Sequence, residues 1–176
     1  MRQSVWGLGV VMILGGFLAL SQPAIALEAT QEAVVSVTVE PVFELSLDQG
    51  FIRFDRMRPG EVKWNIPANA LVTTAKSNRQ APWFLMISTT AELSSGQHII
   101  PNENFYWYGW SEGAGTYYGT KENSLTTTPV LAYASTGAEG ANLPTGTNNF
   151  FKFKLEVPKK QPPGVYTTTV KFTVTE

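Results

Sequence analysis

A single imidazole limits the acid–base and nucleophilic chemistry open to this chain. His98 sits in Gln97-His98-Ile99-Ile100-Pro101, beside two aliphatic side chains, and no Gly-x-Ser-x-Gly turn exists to present a serine. The sequence has no cysteine, which removes thiolate nucleophiles, disulfides, cysteine zinc sites, iron–sulfur clusters and a lipid-modified cysteine anchor together. Glycoside hydrolysis needs two carboxyl groups roughly 5–10 Å apart across a cleft. Beyond residue 26 the only aspartates are Asp48 and Asp55, and the glutamates are scattered. Glu112, next to an aromatic run, is the best single acid and has no evident partner. The oxygen-rich series of a calcium loop and the glycine-rich spacing of a phosphate loop are both missing. These residues predict a protein that is not an enzyme, with no catalytic residue, metal or cofactor, and His98 at a strand edge or in a loop.

The residues that do stand out are aromatic. Phe105-Tyr106-Trp107-Tyr108-Gly109-Trp110, with Tyr117-Tyr118 close behind, places seven aromatics within fourteen residues. On a strand, Phe105, Trp107 and Gly109 face one way and Tyr106, Tyr108 and Trp110 the other. Either the segment is a central strand buried on both faces, or one aromatic row is exposed. An exposed Tyr/Trp row suits the apolar C–H faces of sugar rings, with its OH and N–H groups at the rim; it suits a protein contact as well. Tyr106, Tyr108, Trp110, Glu112, Tyr117 and Tyr118 are therefore the candidate ligand-binding residues, with Asn123 as a further rim hydrogen-bonding group. The Gly-, Ser- and Thr-rich stretch 111–120 fits a binding loop or plain surface.

The elements that must position this segment read as strands. Val35, Val37 and Val39 alternate with polar residues, as do Phe43, Leu45 and Leu47, then Phe151, Phe153, Leu155 and Val157, and finally Tyr166, Val170, Phe172 and Val174. Further candidates are 51–54, 62–66, 71–76, 83–89, 105–110 and 130–133. Each run has one core face and one wet face, as in antiparallel sheets with a solvated side. Of the last strand, Tyr166, Val170, Phe172 and Val174 are predicted buried, and Thr169, Lys171 and Thr173 wet. Arg58-Pro59-Gly60 and Pro162-Pro163-Gly164 have the residue order of type II turns, with glycine at positive φ. Residues 94–96, 113–115 and 136–149 read as loops. About ten short strands with frequent turns predict an all-β antiparallel, immunoglobulin-like β-sandwich.

Composition places that sandwich. With 13 Lys+Arg against 14 Asp+Glu the net charge is −1, which excludes a bulk electrostatic grip on nucleic acid. Residues 1–26 read as a signal peptide: Arg2 precedes an uncharged, mostly apolar run over 5–20, and Ala24-Ile25-Ala26 sets small residues before a cut. An uncleaved anchor is the alternative, although the run is short for a span of about 20 residues. The expected mature chain is 27–176, one sandwich domain, secreted to the periplasm or cell surface, with no transmembrane segment. Residues 27–40 combine a polar leader with the valine alternation that an exchanged strand requires; pairing within its own domain is the alternative.

Ser77-Asn78 followed by Pro82-Trp83-Phe84-Leu85-Met86-Ile87 resembles the Trp-x-Leu motif of the WxL domain. Gly164-Val165-Tyr166-Thr167-Thr168-Thr169-Val170-Lys171-Phe172 resembles that domain's closing Gly-x-Tyr strand. This resemblance implies a non-catalytic domain held non-covalently on a cell wall. Pro162-Pro163-Gly164-Val165-Tyr166-Thr167 also resembles the closing strand of spore-coat-U-like and fimbrial subunits, which implies assembly with like subunits. Together they point to a secreted bacterial surface β-sandwich, structural or adhesive, whose partners are other envelope proteins or like subunits. A carbohydrate- or cell-wall-binding module that uses 105–118 to hold glycan or peptidoglycan is the alternative.

Overall fold

The computed structural model describes residues 31–66, 69–139 and 145–176; the signal peptide read at 1–26 lies outside them. The chain divides into a leading unit that ends at Thr38 and a unit spanning Val39–Glu176. In the leading unit the described residues 31–38 form no strand, and Val35 and Val37 are exposed, so the first predicted strand is absent. An alternating pattern creates a strand only where a neighbour supplies hydrogen bonds and an apolar face.

The second unit is all-β, and every strand pair in it is antiparallel. Its strands are β1 (Phe43–Leu47), β2 (Val62–Trp64), β3 (Leu71–Ser77), β4 (Phe84–Thr89), β5 (Leu93–Ser95), β6 (His98–Ile100), β7 (Phe105–Ser111), β8 (Thr116–Tyr117), β9 (Asn123–Ser124), β10 (Val130–Ala134), β11 (Thr147–Glu156) and β12 (Val170–Thr175). A six-stranded sheet runs β1-β3-β11-β7-β9, with β2 also on β11, and a four-stranded sheet runs β12-β4-β10-β8. β5 and β6 form a separate hairpin, in which His98 pairs with Ser95 at an exposed position.

Two-residue periodicity explains the long central strand. In β11, Thr147, Asn149, Phe151, Phe153 and Leu155 are buried, whereas Asn148, Phe150, Lys152, Lys154 and Glu156 are only half-buried. β3 alternates in the same way. The inner residues of both sheets meet in one core: Phe151 of β11 packs edge-on against Phe172 of β12 at 4.8 Å, and Trp107 of β7 packs against Tyr117 of β8 at 6.4 Å. This is a sandwich-like arrangement. Fully burying an aromatic or large aliphatic side chain stabilises the fold by roughly 1.5–3 kcal/mol, and Trp83, Leu85, Ile87, Phe151 and Phe153 are all fully buried.

Several elements differ from the expectation. Residues 51–54 contribute only one bridge, Arg53 to Ile66. Ser94 and Ser95, expected in a loop, belong to β5, and the loop reading of 136–149 yields to β11 from Thr147 onward. The closing strand starts at Val170, not Tyr166, and Val170, Phe172 and Val174 are half-buried because β12 lies at a sheet edge. Lys171 and Thr169 are exposed as expected, but Thr173 is half-buried. Gly60 has the predicted positive φ, 85°. Gly164 does not; a side-chain carbon there would crowd the Ser95 hydroxyl, which would have to turn aside.

Candidate functional site

β7 separates its aromatics by face. Phe105, Trp107 and Gly109 are buried toward the core, while Tyr106 and Tyr108 are half-buried on the outer face and Trp110 is 43% exposed there. The antiparallel register with β11 then sets Trp110 opposite Phe150, Tyr108 opposite Lys152 and Tyr106 opposite Lys154. Each cross-strand pair points outward, so the outer face of the six-stranded sheet carries an aromatic row whose first members come from β7 and β11.

The row is ordered by ring contacts. The Trp110 indole stacks on Phe150 with centroids 4.9 Å apart and planes 5° apart. Tyr108 meets Trp64 of β2 edge-to-face at 5.1 Å. The Lys154 ammonium lies over the Tyr106 ring, 4.3 Å from its centroid, as a cation is drawn to the negative face of a phenol ring. Lys154 also pairs with Glu122 and, at 3.1 Å, with Glu156. The hydrogen bond to Glu122 raises its pKa above the ordinary value; burial opposes the rise and the bond to Glu156 adds to it. At the other end, Glu112 is exposed and accepts a hydrogen bond from Asn148 Nδ2 at 3.0 Å.

The structure brings together four of the six predicted residues, Tyr106, Tyr108, Trp110 and Glu112, and separates the other two. Tyr117 points inward against Trp107 and Phe151, and its hydroxyl donates to the Phe150 carbonyl at 3.2 Å. Burial pushes its phenol pKa well above the ordinary value. Tyr118 is exposed, but it follows β8 in the four-stranded sheet, where its N–H donates to Ala132. Asn123 pairs with Trp107 in register, and its amide donates to the Lys121 carbonyl. Trp64, Phe150, Lys152 and Lys154 are members of the row that sequence reasoning missed. Cross-strand register, not local spacing, assembles them.

Trp83 of the Trp-x-Leu stretch is fully buried against Tyr133, with ring centroids 5.3 Å apart, so it serves the core. A second feature is an apolar cleft of about 850 Å³ lined by Leu93, Ile100, Phe105 and Leu155 together with Val170 and Phe172 of edge strand β12. No helix among the described residues is long and apolar enough to cross a membrane. No family model and no curated protein matches the chain. What the fold and site define is a class: an all-β, sandwich-like protein with an aromatic outer sheet face.

Proposed function

We propose that this chain is an exported, non-enzymatic module of the cell envelope, an immunoglobulin-like sandwich of the secreted surface type that adheres through the outer face of its six-stranded sheet. Polysaccharide is the ligand class. The observation that supports this reading is the outward row Trp110–Phe150, Tyr108–Trp64 and Tyr106–Lys154. Apolar side chains on a solvated sheet face gain nothing there in folding that a core position would not give, and they offer flat surfaces to the C–H faces of sugar rings. Under this reading residues 1–26 are a cleaved leader.

Cell fractionation with intact-mass analysis tests the export, and co-sedimentation of the recovered protein with purified envelope polysaccharide tests the adhesion. The expected result is a chain that starts at Leu27, lies outside the cytoplasm and sediments with the polysaccharide. Retention of Met1 in a membrane fraction, or failure to sediment, overturns the corresponding half.

A structural reading is favoured by a separate observation. Val35, Val37 and Val39 are 92%, 85% and 76% exposed, and the apolar cleft beside edge strand β12 has room for an added chain segment. A like subunit that donates its valine run would satisfy both, through main-chain hydrogen bonds and alternate side chains set into the cleft.

A further inference from the structure

Resting on the adhesive reading of the outer sheet face, we propose that its ligand is an acidic polysaccharide, a chain of pyranose rings bearing carboxylates, and that Lys152 is the residue that selects for the charge. The face carries two lysines of β11, and they differ in their state. Lys154 is ion-paired with two carboxylates, Glu122 and Glu156, and lies over the Tyr106 ring. Lys152 is half-buried between Phe150 and Lys154 along the strand and opposite Tyr108 across it. Its ammonium has no ion pair or hydrogen bond among the described residues. Three carboxylates near it have other partners: Glu112 accepts from Asn148, and Glu122 and Glu156 pair with Lys154. Lys152 is thus an unpaired cation on a face that carries aromatic rings.

That combination discriminates by chemistry. A neutral glycan laid on Trp110, Tyr108 and Trp64 would strip water from Lys152 and return only neutral oxygen acceptors, weaker partners for an ammonium than a carboxylate. A uronate ring brings both parts of the match, an apolar C–H face for the aromatics and a carboxylate for the ammonium, joined by a charge-assisted hydrogen bond. Arginine at the position would keep the charge, whereas glutamine would keep most of the length and polarity without it.

Oligogalacturonate and its methyl ester share the same rings and differ in charge, so they separate the two contributions. The full chain is titrated with each, with tryptophan fluorescence as the readout, and thermal melting verifies that each variant is folded. The expected result is acid bound about tenfold more tightly than ester, since one charge-assisted bond is gained. K152Q should abolish that preference, K152R should keep it, and W110A should weaken both ligands. Equal affinity of the unaltered protein for acid and ester overturns the charge selection while leaving the adhesive reading intact. Acid preference that survives in K152Q overturns the assignment to Lys152. Binding of neither probe overturns the proposal, and the adhesive reading then stands or falls on the envelope co-sedimentation alone.

Discussion

The Trp110 indole and the Phe150 ring lie parallel, 4.9 Å apart, on a sheet face turned away from the core. Stacking fixes the indole in one orientation while Trp110 stays 43% exposed. A ring held this way loses little conformational freedom when a ligand covers it, so more of the contact energy appears as affinity.

Trp110→Ala should accordingly weaken glycan binding by about 1–3 kcal/mol, by analogy with aromatic stacking in other ligands. Its cost in stability should be only about 0.5–1.5 kcal/mol, the worth of an aromatic pair. Isothermal titration and thermal melting of the same variant measure both. A stability loss of about 3–5 kcal/mol, the cost of removing a core tryptophan, would show that the indole serves the fold instead.

Gly109 sets the distance between the strands that carry the row. A side-chain carbon there would collide with the Phe150 carbonyl and stand 2.7 Å from the Tyr117 hydroxyl. Relief requires β7 and β11 to part, since a backbone oxygen cannot rotate aside. Gly109→Ala should therefore destabilise by at least about 1–3 kcal/mol and weaken ligand binding with it. Chemical denaturation with a binding assay on the folded fraction checks this; an unchanged midpoint would refute it.

Much of this arrangement was legible in the sequence. The alternation of 105–110 predicts that Tyr106, Tyr108 and Trp110 share a face, because side-chain direction in a strand follows from local geometry alone. Which face is wet, and that Trp64 and Phe150 complete the row, depends on pairing with strands tens of residues away in the sequence. Tyr117 shows the same limit. Its neighbour Tyr118 is exposed, and only the packing of Trp107 and Phe151 decides that Tyr117 turns inward. The valine run 35–39 has strand-like alternation but no partner strand, so periodicity misleads there.

Glu139 ties a loop to the core and should give stability a pH dependence. Its carboxylate accepts from the Thr136 N–H and hydroxyl at 2.7 Å each and from the Tyr133 hydroxyl at 3.0 Å. Burial opposes ionisation, but these bonds outweigh it and hold the pKa below the ordinary 4.5. The unfolded chain therefore takes up a proton before the folded one does. Its stabilisation is complete above about pH 4.5 and is lost as pH falls through the lowered value. Tyr133 acts at the other end: burial first, then its hydrogen bond to Glu139 and that group's charge, pushes its phenol from 10.0 to about 12 against the opposing bond from the Gly115 N–H, so stability falls as pH rises from 10 toward 12. Glu139→Gln should flatten the acid limb of a melting-temperature profile. An acid limb of unaltered steepness would assign the effect to other carboxylates.

The exposed valines allow assembly to be separated from folding. Residues 31–38 form no strand, whereas the unit Val39–Glu176 holds every paired strand and the core found among the described residues. Removing residues 27–38 should therefore leave a cooperative thermal transition, with the melting temperature altered by no more than a few degrees. If a like subunit's valine run fills the cleft by β12, the same deletion should eliminate polymers in sedimentation velocity, and a synthetic peptide of residues 31–40 should bind the truncated protein and raise its melting temperature by mass action. Replacing Val35 and Val37 by aspartate in that peptide should weaken the effect, since the apolar part of the cleft, lined by Leu93, Ile100, Phe105 and Leu155, loses two side chains that fill it. Polymers that persist after truncation would rule out strand donation, and loss of the thermal transition would place the segment within its own domain's fold.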